Sequence, residues 1–244
     1  MIEIRELRRD FGGIQALAGV DLRVAAGERR AVIGPNGAGK TTLFNVLTGE
    51  LRATGGSMML GGTDLGPQTT WQRARLGLAR MYQRNELFGP LTVRENVLLS
   101  VASLRGAYRP FRSPDARELT DSDAALEQVG LIERASVPAQ ALSHGERRQL
   151  ELALALARRP RVLLLDEPTA GMSPAETEHI GSLIAGLDRS LTLLIVEHDM
   201  DVVFRLADRI TVLHEGRAIA DGTPDEIRCD RQVHDVYLGK AVEA

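Results

Sequence analysis

Between residues 34 and 41 the chain reads Gly-Pro-Asn-Gly-Ala-Gly-Lys-Thr, and no other stretch narrows the possible folds as much. Gly34, Gly37 and Gly39 permit backbone conformations that a side chain would obstruct, so several N–H groups can converge on one anion. Lys40 adds a compact positive charge, and Thr41 adds a hydroxyl able to ligate a divalent ion. The spacing is that of G-x-x-x-x-G-K-[ST], a loop that cradles phosphates. A ligand-free strand–helix turn rich in glycine could share the spelling, so the flanks matter. Arg-Ala-Val-Ile at 30–33 reads as a strand leading in, and Thr-Thr-Leu-Phe-Asn-Val-Leu at 41–47 reads as a helix leading out. The anion would therefore lie at a helix N-terminus.

The rest of the chain fits an α/β sheet with crossovers, because short apolar β-rich runs alternate with longer helical patterns. Strands are expected at 2–7, 20–24, 29–33, 57–60, 79–82, 162–165, 191–196, 210–214 and 218–221. The early strands are expected to form an antiparallel piece and the later ones a parallel core. Gly61-Gly62 and Glu215-Gly216 read as hairpin turns. Capping boxes mark helix starts at Thr92 with Glu95, Ser143 with Glu146, Ser173 with Glu176, and Thr223 with Glu226. No strand pattern appears from 84 to 142, which predicts a helical insertion. Within it, the arginine- and proline-bearing stretch 105–117 reads as a solvated loop.

Net charge is −3, which gives no electrostatic case for nucleic acid. A single cysteine, Cys229, excludes an internal disulfide. Apolar runs are strand-sized, well short of a membrane span, and the first residues lack the apolar segment of a signal peptide. A cytoplasmic chain is expected, unless a partner holds it at a membrane.

Arg-Val-Leu-Leu-Leu-Asp-Glu at 161–167 is an apolar strand ending in two carboxylates. Its unbroken apolar run suits a central parallel strand. Beside the phosphate loop, Asp166 can hold Mg²⁺ through its water shell, and Glu167 can take a proton from a water attacking the terminal phosphate. Without that loop, the pair would serve only to cap the turn at Pro168-Thr169. His198 follows another apolar strand and could point at the same phosphate, although a lone strand-end histidine is usually structural. Gln83 offers an amide donor and acceptor at the end of a short strand. Leu142-Ser143-His144-Gly145-Glu146 opens a helix whose free N–H groups favour an anion. Since the first loop already serves the chain's own nucleotide, this second N-terminus suggests a second copy of the domain facing the first.

Taken together, residues 34–41, Gln83, 142–146, 165–167 and His198 resemble, in order and spacing, the ATP-binding cassette (ABC) transporter ATPases. The resemblance covers essentially the whole chain. It implies a P-loop NTPase fold with a RecA-like parallel core sheet, an antiparallel β subdomain and a helical subdomain. Residues 1–83 and 146–244 would form the α/β catalytic core and 84–145 the helical subdomain. It also implies ATP and Mg²⁺ as ligands. Two such domains, as a homo- or heterodimer, would trap two ATP molecules, each between one phosphate loop and the other chain's Ser-x-Gly turn. By the same resemblance Phe11 stacks on adenine, and Gly34, Asn36, Gly37, Ala38, Gly39, Lys40, Thr41 and Thr42 hold the nucleotide. Ser143 and Gly145 meet the partner's nucleotide, and Thr41, Gln83 and Asp166 serve the metal. Glu167 is then the general base, His198 the switch histidine and Gln83 the lever to a transmembrane permease. The chain would sit on the inner face of the cell membrane through that permease, served indirectly by a substrate-binding protein.

Two departures from the family pattern stand out. His144 and Glu146 replace the usual Gly and Gln of the signature, and Ser173 stands where an acid or Asn usually precedes the proline. The stretches at 80–88, 91–97, 170–174 and 196–200 resemble the branched-chain amino-acid importer ATPases, a group that extends to urea and other amide importers. Lipopolysaccharide-export ATPases share them less closely. A non-transport ABC ATPase is the other alternative, but the long coiled coil or fused second cassette typical of that class is not seen.

Overall fold

The computed structural model describes residues 1–82, 87–104 and 113–238. The chain opens with a long hairpin, β1 (Ile2–Phe11) and β2 (Ile14–Val24), turned by Gly12 and Gly13, both at positive φ. Next come β3 (Arg29–Ile33), α1 (Lys40–Thr48), β4 (Gly55–Leu60), β5 (Thr63–Asp64), α2 (Thr70–Arg75) and β6 (Leu78–Met81). Helices follow: α3 (Val93–Leu104), α4 (Ala116–Gln128) and α5 (His144–Leu156). The remainder alternates as β7 (Val162–Asp166), α6 (Pro174–Ala185), β8 (Thr192–Val196), α7 (Met200–Leu206), β9 (Arg209–His214), β10 (Arg217–Gly222), α8 (Pro224–Cys229) and the short α9 (Arg231–Val233).

Two sheets organise these elements. One has four antiparallel strands in the order β2-β1-β4-β5. The other has six in the order β10-β9-β3-β8-β7-β6, parallel throughout except for the edge hairpin β9–β10. Alternation along the central strands decides which face each side chain joins. Val32, Val162, Leu164, Leu194 and Val196 point to a core shared with Phe44 and Leu47 of α1 and with the antiparallel sheet. Leu163, Leu165, Leu193 and Ile195 point the other way, onto α3–α6. With both faces covered, β7 and β8 are buried at every position, which is why they read as unbroken apolar runs.

Helix α1 is secured at its C-terminal end by a buried arginine of α2. Arg73 donates from Nη1 to the carbonyls of Val46 (2.5 Å) and Leu47 (2.8 Å), and from Nη2 to Leu65 (2.6 Å). A cation there meets the negative end of the helix dipole and satisfies carbonyls that have no partner within the helix. The sole tryptophan, Trp71, lies half-exposed on α2 with the Arg75 guanidinium 4.7 Å from its ring centroid. Among the described residues no helix is long and apolar enough to cross a membrane.

All four expected capping boxes form, and Thr69–Gln72 and Asp115–Glu118 add two more. Three expectations need correction. The division into early antiparallel and late parallel strands fails at β3 and β6, which lie in the parallel sheet, and at β10, which pairs antiparallel. The first two strands run on to Gly12-Gly13, because mutual pairing sustains residues 8–11 and 14–19 although only scattered apolar side chains mark them. The expected loop at 105–117 ends earlier, since Asp115 caps α4 and Arg117 lies within that helix; residues 105–112 lie outside the described residues.

The boxes carry a pH signature. The backbone N–H of each cap residue holds the carboxyls of Glu95 and Glu226 below their ordinary value of 4.5. A depressed folded pKa contributes stability that is present above 4.5 and is lost as pH falls through the lower folded value. The Glu95→Gln/Glu226→Gln variant should therefore melt below the parent near pH 6, with the gap narrowing as pH falls below 4.5. A gap that stays constant across that range would remove the electrostatic account.

Candidate functional site

Strands β3, β8 and β7 lie side by side and parallel, so the residues following each of them emerge at one edge of the sheet. The phosphate loop follows β3, Asp166 ends β7 with Glu167 next, and Glu197-His198 follow β8. Neighbouring β6 carries Arg80 and leads through Tyr82 to Gln83, which lies outside the described residues.

The loop is tightly seated on its outer side. A Cβ on Gly34 would stand 2.1 Å from the Leu213 carbonyl oxygen of β9, and one on Gly39 would stand 2.4 Å from that of Ala16 in β2. Both residues have positive φ, so only glycine suits them. Ala38 is buried, and its carbonyl accepts the Gly216 N–H of the β9–β10 turn at 3.1 Å. Asn36, Gly37 and Thr41 are exposed and Thr42 is partly buried, while a Cβ on Gly37 would meet nothing within 4 Å. The loop is thus rigid where it meets the fold and open where a phosphate would enter.

Lys40 is buried, and its Nζ donates to the carbonyls of Gly34 (2.7 Å) and Pro35 (3.0 Å). Burial pushes its ammonium below the usual lysine range, and the charges of Glu167 and Asp166 oppose that push. A buried cation held only by neutral carbonyls favours an anionic partner. This donor set, together with the open N-terminus of α1, fits a polyphosphate. For a divalent ion the case is narrower. No group of three or more His, Cys, Asp or Glu among the described residues could hold one alone. Thr41 and the buried Asp166 offer oxygen ligands that suit Mg²⁺ only if phosphate oxygens complete the shell.

Glu167 has φ 48°, a left-handed conformation rare for a non-glycine residue and costing about 1–3 kcal/mol. Its surroundings impose this. Its N–H donates to the Val196 carbonyl (2.9 Å), and its carbonyl accepts Nη2 of Arg148 (2.6 Å). The side chain meets His198, with Nε2 at 2.8 Å from Oε1. Because a carboxylate oxygen only accepts, Nε2 carries the proton in this bond.

Two buried residues not singled out from the sequence hold the arrangement. Arg148 of α5 donates to the carbonyls of Pro168 (2.8 Å), Glu167 and Tyr82 (2.9 Å) and to the carboxylate of Glu151 (2.7 Å). It ties the helix opened by Ser143 to the loop after β7 and to the residue before Gln83. Glu197 accepts Thr169 N–H (3.0 Å) and Oγ (2.5 Å) at one oxygen, and His198 N–H (2.8 Å) at the other. Apart from the local Arg148–Glu151 and Glu197–His198 contacts, these partnerships leave no trace in local spacing, since donors and acceptors are brought together by the fold.

The other expected site residues lie apart from this cluster. Phe11 is 41% exposed at the hairpin tip, so it is not a core residue, and the Arg9 guanidinium lies 4.4 Å from its ring centroid. Ser143 caps α5, accepting Glu146 N–H at 3.2 Å. Gly145 lies against the Glu176 carboxylate of α6. Among the described residues, neither Ser143 nor Gly145 hydrogen-bonds to the phosphate loop or to the acids.

Replacing Glu197 with Gln would set an amide N–H against backbone or hydroxyl donors in a buried place. Glu197→Gln is expected to cost about 1–3 kcal/mol in denaturant unfolding. An unchanged midpoint would mean that the carboxylate does not brace the two loops.

Comparison with known proteins agrees with this geometry. The family model described as ABC transporter matches residues 17–170, and that described as Branched-chain amino acid ATP-binding cassette transporter matches residues 219–243. The chain is 39% identical to the high-affinity branched-chain amino acid transport ATP-binding protein BraF of Pseudomonas aeruginosa, over 99% of this chain and 98% of BraF. LivG of Escherichia coli strain K12, described in the same words, is also 39% identical with the same coverage. Among solved structures, the ADP conformation of an ATP-binding cassette of an ABC transporter superposes with a TM-score of 0.88 at 28% identity, covering 98% of each chain. The chain belongs to the ABC transporter family, as one of its ATP-hydrolysing cassette subunits.

Proposed function

We propose that the chain powers import of branched-chain amino acids or related amides through a membrane permease, hydrolysing Mg·ATP at sites shared with a second cassette. The substrate class is supported by the names of BraF and LivG and by the match at residues 219–243, which favours the import branch over lipopolysaccharide export. The observation that carries the chemistry is the 2.8 Å Glu167–His198 bond at the edge where the Lys40 loop also ends.

In this reading Lys40 exchanges its two carbonyl partners for β- and γ-phosphate oxygens, and the amides at 34–42 close around the same oxygens. Glu167 accepts the proton of the water that attacks the γ-phosphorus as ADP leaves. His198 fixes that carboxylate and senses the γ-phosphate. Thr41, Asp166 and Gln83 would hold Mg²⁺, which when bound draws charge from the phosphate oxygens. Phe11 offers its free ring face to adenine.

Ser143 and Gly145 present the N-terminus of α5 to the nucleotide of a second cassette, which is either a copy of this chain or a different one. Residues 1–83 and 146–244 act as the catalytic core, and 84–145 as the helical subdomain that meets the permease. A substrate-binding protein delivers the cargo outside, and the permease keeps the cassette at the inner face of the cell membrane. Closure around ATP, released after hydrolysis, drives the permease through differential affinity for the two states.

Glu167→Gln is expected to lower turnover about 10²–10⁴-fold while ATP binding persists. Near-parental hydrolysis would take the base role away from Glu167. Lys40→Ala should weaken ATP affinity at least about tenfold, the worth of one charge-assisted bond. Unchanged affinity would contradict the loop assignment. In proteoliposomes, the cassette with its co-purifying membrane chains should drive ATP-dependent uptake of leucine or isoleucine. Hydrolysis without uptake of any such amino acid would set the import reading aside.

A further inference from the structure

Arg80 on β6 is buried to 6% side-chain exposure, yet no part of the mechanism above uses it. Its guanidinium fork spans the gap between the phosphate-loop helix and the end of β7. Nη2 donates to Asp166 Oδ2 at 2.5 Å, and Nη1 donates to Asn45 Oδ1 at 2.7 Å and to Glu50 Oε1 at 3.3 Å. Tyr82 OH donates to Glu50 Oε1 at 2.9 Å, and the Thr48 hydroxyl, shared with the Phe44 carbonyl, lies 3.0 Å from the same oxygen. The Arg80 guanidinium carbon lies 4.9 Å from the Tyr82 ring centroid and 5.7 Å from that of Phe44. Without the arginine, the gap would be lined by two carboxylates and an amide oxygen, the hard oxygen donors that Mg²⁺ prefers.

We propose that the Arg80 guanidinium is a resident cation filling this oxygen-lined notch, so that a divalent ion is admitted to Asp166 only together with phosphate oxygens. This rests on the reading of Asp166 as a metal-side carboxylate. One oxygen of Asp166 is already committed to a charge-assisted bond inside the fold, where such bonds are strongest. A free Mg²⁺ ion would face that fixed positive charge with too few remaining ligands. An ion carried by a triphosphate brings oxygens and negative charge of its own. The planar fork explains the choice of residue, because a lysine could not reach Asp166 and Asn45 at once. Arg80 is thus a positioning residue that also sets the order in which metal and nucleotide arrive.

The test uses the whole chain without nucleotide. In thermal melts, the parent should show the same midpoint in EDTA and in millimolar Mg²⁺, and should rise only when ATP is added with Mg²⁺. Arg80→Gln should melt at least about 5 °C lower in EDTA, since a buried pair has lost its cation. At least half of that loss should return with Mg²⁺ alone. Arg80→Lys, which keeps a positive charge, should show no response to Mg²⁺ alone. A loss in Arg80→Gln that Mg²⁺ does not restore would overturn the proposal and leave Arg80 a structural pin.

Mn²⁺ resonance spectra of the parent, which need no variant to fold, should show bound ion only when ATP is present. Tight Mn²⁺ binding without nucleotide would also overturn the proposal. If Mg·ATP fails to stabilise the parent or to bind Mn²⁺, the metal-side reading of Asp166 fails first, a result distinct from failure of the Arg80 proposal.

Discussion

The parallel alignment of β3, β8 and β7 is the constraint from which the site descends. Parallel pairing delivers three separate stretches of chain to one edge, and each arrives with its backbone running in the same direction. The phosphate loop, the carboxylate pair and the histidine need no further device to meet. That pairing is stable only because both faces are covered, by α1 with the antiparallel sheet on one side and by α3–α6 on the other. Loss of either layer would leave fully apolar strands facing water, so the edge and its chemistry depend on packing far from any ligand.

Within that edge, backbone geometry is held under load. Glu167 keeps a left-handed conformation because its N–H and C=O are both committed, to Val196 and to Arg148. Arg148 and Glu197 brace the edge in complementary ways. Arg148 gathers carbonyls with a forked donor, and Glu197 gathers N–H and hydroxyl groups with a forked acceptor. The side chains of Glu167 and His198 remain more open to solvent than this scaffold. Rigidity sits beneath the chemistry and access sits above it.

The parts of this arrangement legible from sequence are those written locally. Residues 34–41 carry their motif in spacing alone, and the capping boxes at Thr92, Ser143, Ser173 and Thr223 carry theirs in four-residue patterns. Asp166, Glu167 and His198 are readable because each ends or follows an apolar run, and strand ends of a parallel sheet are where such residues collect. Sheet membership is less readable, since β3 and β6 look locally like any short strand and only long-range pairing assigns them to the parallel sheet. The far halves of β1 and β2 escape notice because pairing with each other, more than an apolar run of their own, keeps them extended. Arg80, Arg148 and Glu197 are invisible for a related reason: most of their partners lie far along the chain, and a lone charged residue announces neither its burial nor its contact.

The fastening of α1 by Arg73 has a practical side. The helix that follows the Lys40 loop is gripped at its far end by α2, whose own indole is the only one in the chain. That indole is half-exposed and stacked on a guanidinium, an environment in which emission colour and quenching respond to small displacements. The molecule therefore carries its own optical gauge: ultraviolet fluorescence, with no dye attached, reports on the surroundings of the α2 indole beside the C-terminal end of α1.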